Sequence, residues 1–115
     1  MDLTKDSYYL ICKLYKKYCK DVKNGIPKAR AKCLGSSYNI QKTIKLKYSF
    51  ENLEETCREL SRAGLLKCEF SDNIVSRTFL TDKGIIYMEN RTKNFMSKVG
   101  YWFVKLLDLF KKFFY

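Results

Sequence analysis

Residues 49–84 read SFENLEETCRELSRAGLLKCEFSDNIVSRTFLTDKG, and this stretch decides the fold. Ser49 offers a side-chain oxygen to cap a helix over 50–63. Within that helix Phe50, Leu53, Cys57 and Leu60 recur at steps of three, four and three, which makes one apolar stripe. Gly64 supplies the stop, because glycine enters the left-handed region without a Cβ penalty. A strand is expected over 65–70, a turn at Ser71-Asp72-Asn73 and a second strand over about 74–80. Thr81 is placed to cap a further helix, which opens Thr81-Asp82-Lys83-Gly84 and carries Ile85, Ile86 and Met88.

Upstream, the spacing predicts a helix over 6–23. Ile11, Leu14, Tyr15, Tyr18 and Val22 form its apolar stripe, and Lys13, Lys16, Lys17, Lys20 and Lys23 make the remainder basic. Asn24-Gly25 ends it. Pro27 suits the first turn of a short second helix over about 27–34, with Gly35 after it. Gly35-Ser36-Ser37-Tyr38-Asn39 reads as a loop. Residues 40–48 stay open between two readings. Ile44, Leu46 and Tyr48 alternate with Lys45 and Lys47 as in a strand, whereas Ile40 and Ile44 also suit a helix.

The chain has 115 residues and weighs 13.7 kDa, enough for one domain with a buried core. Hydrophobic residues make up 46% and charged residues 30%, a globular composition. The net charge is +11 and the pI about 9.5, which favours nucleic acid, an anionic membrane or an acidic partner. There is no histidine, so Ser-His-Asp and Cys-His catalysis, imidazole proton shuttling and His-based metal sites are excluded. No P-loop and no Gly-x-Gly-x-x-Gly occurs, so no cofactor and no enzymatic activity are expected. Cys12, Cys19, Cys33, Cys57 and Cys68 are odd in number and contain no C-x-x-C, which predicts free thiols, no metal site and a reducing, cytoplasmic setting. The polar start Met1-Asp2-Leu3-Thr4-Lys5-Asp6 predicts no signal peptide. Glu51, Glu54, Glu55 and Glu59 are expected on an open, solvated helix face, with Glu54 and Arg58 as an i,i+4 pair.

The order helix, helix, helix, hairpin, helix resembles a winged helix-turn-helix domain of the MarR/PadR-like kind. Three pieces carry the resemblance: Leu60-Ser61-Arg62-Ala63-Gly64-Leu65-Leu66, the hairpin Lys67–Phe79 around Asp72-Asn73, and Leu80-Thr81-Asp82-Lys83-Gly84. The layout with a trailing helix is also similar to small phage-associated winged-helix proteins of the YjcQ type. The stretch 35–48 departs from the pattern, being longer than a simple helix-turn-helix turn. The resemblance implies a mainly α fold with a small β-hairpin wing, residues 1–94, followed by a long C-terminal amphipathic helix, residues 95–115.

The resemblance also implies a DNA-binding transcriptional regulator of prokaryotic or phage type. In such domains the helix before the wing enters the major groove. Asn52, Arg58 and Arg62 would then face bases, and Lys28, Arg30, Lys32, Lys47, Lys67 and Arg77 would face phosphates of double-stranded DNA. The charge pattern is mixed: residues 49–64 hold four Glu against two Arg, whereas residues 1–48 hold 12 basic and 3 acidic residues. This supports affinity for nucleic acid better than base-specific reading.

Residues 95–115 contain 8 of the 18 aromatic residues. Wound as a helix, Val99, Trp102, Phe103, Leu106, Leu107, Phe110 and Phe114 share an apolar face with Phe95. Lys105, Asp108, Lys111 and Lys112 interrupt it too often for a membrane span. The face is expected to pack on the core or to form a homodimer seam, the dimer being the more economical. It could instead lie on a membrane surface or dock a protein partner. The alternative to a regulator is therefore a non-enzymatic interaction module of a phage or mobile element, which binds a host protein or sits at a membrane through 95–115.

Overall fold

A computed structural model describes residues 3–44 and 48–99, the last seven of these by their backbone alone. The described chain is helix-rich with one small antiparallel sheet. Its elements are α1 (Lys5–Lys23), α2 (Lys28–Ala31), β1 (Cys33–Gly35), α3 (Ser37–Thr43), α4 (Phe50–Arg62), β2 (Leu66–Ser71), β3 (Ile74–Leu80) and α5 (Asp82–Val99). The sheet order is β1-β3-β2, so the last strand lies in the middle.

Local chemistry sets most of the boundaries. Thr4, Ser36 and Ser49 each accept a hydrogen bond at a helix N-terminus, from the backbone N–H of Ser7, Asn39 and Asn52. The Thr81 hydroxyl accepts from the Gly84 N–H at 3.0 Å and donates to the Gly64 carbonyl at 2.7 Å, tying the start of α5 to the end of α4. Gly64, at φ +80°, makes the left-handed exit from α4. Gly84 is needed for a different reason: a Cβ there would run into the Leu65 carbonyl oxygen.

The core forms where the stripes meet. Leu10, Ile11 and Leu14 of α1 pack with Leu53, Cys57 and Leu60 of α4, and Leu34, Ile40, Leu65, Leu66, Val75, Leu80 and Met88 close around them. The four-residue periodicity of α1 and α4 thus bears its expected apolar load.

Two expectations are corrected. The helix expected over 27–34 stops at Ala31, and Cys33–Gly35 forms a strand on β3 instead. The loop expected from Gly35 contains α3, which Ser36 caps and which buries Ile40. Of the open stretch 40–48, residues up to Thr43 are helical and residues 45–47 lie outside the described residues.

The β2–β3 hairpin turns at Asp72 and Asn73, whose φ values of 53° and 64° fit the two-residue turns that match strand twist. Its register slips once. Glu69 faces Arg77 but Phe70 faces Val75, which leaves Ser76 as an extra residue. The Ser76 hydroxyl donates to the Glu69 carbonyl at 3.1 Å across the bulge.

Candidate functional site

The outward face of α4 and the adjoining hairpin turn form the surface on which most polar side chains converge. Three of the six charged residues of α4 do not behave as a solvated face. Glu54 is buried, at 6% exposure, and both its carboxylate oxygens accept from the Val75 N–H at 3.2 Å. This corrects the expected Glu54–Arg58 surface pair. Glu59 accepts from the Ser7 hydroxyl at 2.6 Å and the Thr4 hydroxyl at 3.0 Å, which fastens α4 to the start of α1. Arg58 donates from Nη2 to the Asn73 carbonyl at 2.6 Å and lies 5.4 Å from the centre of the Phe70 ring. Arg62 pairs with Glu55 at 3.4 Å, in the open.

The partner of Glu54 explains the burial. β1 ends at Gly35, which pairs with Thr78, so β3 continues toward its turn without a β1 neighbour. Side chains take over there. Ser37, fully buried, donates from Oγ to the Val75 carbonyl at 3.2 Å, while Glu54 takes the Val75 N–H. An unpaired buried N–H would cost about 1–3 kcal/mol, so a carboxylate is well placed there.

The residues expected to face DNA separate into groups. Asn52 and Arg62 are exposed on α4, and Arg58 is half-buried between α4 and the hairpin. Lys67 and Arg77 are exposed, with Arg77 directly across from Glu69. Lys28 and Arg30 are exposed on α2, near the end of β3 remote from the turn, since the Lys32 carbonyl accepts from the Leu80 N–H. The Lys32 ammonium is engaged by Asp82 at 2.7 Å, and that bond holds the Asp82 carboxyl below its usual range. Lys47 lies outside the described residues, as do Trp102, Phe103, Leu106, Leu107, Phe110 and Phe114, while α5 ends at Val99.

Two aromatic residues of this surface, Tyr38 and Phe70, escape a reading of the sequence. Tyr38 of α3 is 57% exposed and stacks on Phe50 with ring centres 4.5 Å apart. Phe70 is 49% exposed beside Arg58. Lys42, exposed on α3, adds a cation to the same helix pair. The Ser36 cap signals α3, and hence Tyr38; Phe70 shares the face of Leu66 and Cys68 on β2, and only its contact with Arg58 depends on the tertiary fold.

Burial disfavours the thiolate at Cys12, Cys57 and Cys68. Burial pushes the Cys57 thiol up to about 12, with Cys68 and Glu54 adding to the shift. Burial also raises Cys12 and Cys68, and a raised thiol is the opposite of what a reactive cysteine needs. Among the described residues no three Cys, Asp or Glu side chains come together as a metal would require, and no helix is long and apolar enough to cross a membrane. No protein-family model, no curated protein and no solved structure matches the chain.

Proposed function

We propose that the chain is a winged-helix domain that binds double-stranded DNA, a regulator of prokaryotic or phage type acting as a dimer through residues 95–115. The observation that carries this reading is the arrangement of α3, α4 and the hairpin. Two short helices in succession are followed by a two-stranded ribbon whose turn is held against the second helix by the Arg58–Asn73 bond. The β1-β3-β2 order with β1 inserted before α3 accords with it. α4 is then the helix for the major groove, with Asn52 and Arg62 exposed toward base edges and Lys42 toward a phosphate. Arg58 has a different duty in this reading: it sets the angle between helix and wing.

The test is anisotropy of labelled duplexes, one from the chain's genomic neighbourhood and one random, across a salt series, with light scattering for mass. A regulator binds its neighbourhood DNA as a dimer with clear preference, and Asn52→Ala with Arg62→Ala removes the preference. Binding with no preference between the two duplexes would sink the regulator reading.

A second reading has an observation of its own. The same surface carries Tyr38 and Phe70, both about half exposed, beside exposed Glu51 and Glu55. Exposed aromatic side chains on a surface that also holds carboxylates suit a basic protein partner. Under that reading Tyr38→Ser and Phe70→Ser abolish capture of the host protein, while Asn52→Ala and Arg62→Ala do not.

A further inference from the structure

β2 is an edge strand. The order β1-β3-β2 gives β3 a neighbour on each side and leaves one flank of β2 without a strand among the described residues. Which backbone groups point to that flank follows from β3. The Leu80 N–H donates to the Lys32 carbonyl, while Glu54 takes the Val75 N–H and Ser37 the Val75 carbonyl. Leu80 and Val75 thus turn their backbone groups away from β2. Their partners across the ladder, Leu66 and Phe70, turn theirs the other way, to the open side. Cys68, midway between them on a regular strand, does the same. A row of such groups is a template for another strand.

The side chains of β2 say which strand fits. Leu66, Cys68 and Phe70 share the face toward α4, where the Cys68 thiol donates to the Cys57 carbonyl and Phe70 stays half exposed. Lys67, Glu69 and Ser71 lie exposed on the other face.

Two copies of β2 can pair antiparallel about a two-fold axis, provided that outward-pointing groups meet each other. Near the middle of the strand this sets the axis at Lys67, Cys68 or Glu69, and never between two residues. An axis at Lys67 puts two lysines opposite each other, and an axis at Glu69 two glutamates. Like charges directly opposite are destabilising. An axis at Cys68 puts Lys67 of each copy opposite Glu69 of the other, and Phe70 opposite Leu66. Glu69 then lies between Arg77 of its own hairpin and Lys67 of the second copy. The half-exposed Phe70 gains an aliphatic neighbour on its own face. One register alone satisfies backbone, charge and apolar side chains together.

We infer that β2 is a self-association edge. Two copies of the chain join antiparallel through it, about an axis at Cys68, into one sheet that runs β1-β3-β2-β2-β3-β1. The inference does not depend on DNA binding, and it uses a different part of the chain from residues 95–115. A two-fold contact here and a second one through 95–115 would join dimers into longer assemblies.

The experiment follows the mass of the full chain by light scattering and sedimentation over a range of concentrations. It compares the wild type, Lys67→Glu, Glu69→Lys and an equal mixture of the two variants. Lys67→Glu leaves glutamate at both positions, and Glu69→Lys leaves lysine at both, so each variant alone meets its own charge across the axis. Each should weaken the association about tenfold or more, read as mass lost at concentrations where the wild type is assembled. In the mixture glutamates face lysines again, and the mass should recover, which a folding defect in either variant would prevent. A wild type larger than a dimer that falls to a dimer in each variant supports the edge beside a seam at 95–115. A dimer that falls to a monomer supports the edge and removes the dimer from 95–115. Single variants with wild-type mass at every concentration, or a mixture that does not regain it, overturn the inference. So does a wild type that stays monomeric throughout.

Discussion

α1 and α4 begin alike and end differently. Each opens on a hydroxyl cap, each buries a stripe spaced at three and four residues, and each carries charge around the rest of its circumference. On α1 the Lys13–Lys23 stripe faces away from the core. On α4 Glu54, Arg58 and Glu59 turn toward other elements and hold them. The difference is set by what lies alongside. A hairpin with an unpaired strand N–H rests against α4, and the first turn of α1 brings two hydroxyls to Glu59. The same residue types thus serve as struts between elements on one helix and lie along the outer side of the other.

Substitutions can break that contrast, and the largest effect is expected at Glu54. Glu54→Ala leaves the Val75 N–H buried without an acceptor and should lower stability by about 2–3 kcal/mol, read from urea unfolding. Glu54→Gln keeps an acceptor and should lose less than half of that; equal losses would show that the bond to Val75 is not what matters. Next comes the junction of α1 with α4. Ser7→Ala should cost about 1–2 kcal/mol, and a double-mutant cycle with Glu59→Ala should return much of that as coupling, because the 2.6 Å bond joins a buried hydroxyl to a carboxylate.

Arg58→Ala should cost about 1 kcal/mol and speed amide exchange at the hairpin turn, since a charge-assisted bond to a carbonyl at a partly open site is worth little more. Lys13→Ala and Lys20→Ala sharpen the other side of the comparison: unfolding should shift by no more than about 0.5 kcal/mol, and any shift should be toward greater stability as repulsion is relieved. The smallest effect belongs to Asp82. Lys32 depresses its folded pKa, so the stabilisation is present at neutral pH and is lost as pH falls below the ordinary carboxylate value through the folded one. Wild type and Asp82→Asn should therefore differ slightly in melting midpoint at neutral pH and converge in acid.

The parts of the fold legible in the sequence are those with a repeating signal. α1, α4 and the hairpin each show several apolar residues in period, closed by a cap, a glycine or a turn pair. β1 shows nothing of the kind, because three residues cannot display an alternation and its partner, β3, lies more than forty residues along the chain. α3 carried its signal in Ser36 and in the Ile40–Ile44 spacing, masked by the loop-like run of Gly35-Ser36-Ser37. For the surface, exposure of Asn52 and Arg62 follows from the wheel of α4. The engagement of Arg58, Glu54 and Glu59 does not. Each depends on a neighbour brought close only by the tertiary fold, and Glu54 lies near the edge of the apolar stripe, where a small rotation decides between water and core.

The extra residue at Ser76 has a consequence for how the hairpin can change. Val75 points into the core, and so do Thr78 and Leu80. An odd-numbered and two even-numbered positions agree only because Ser76 resets the alternation between them. The ribbon is therefore two half-ribbons of opposite parity, a base committed to the core and a tip that presents Phe70 to Arg58. Removing Ser76 would not shorten the tip. It would leave a regular ladder in which Val75 and Thr78, then two positions apart, still face the core, so the extra residue acts on the bend and twist of the tip and not on which side chains face inward.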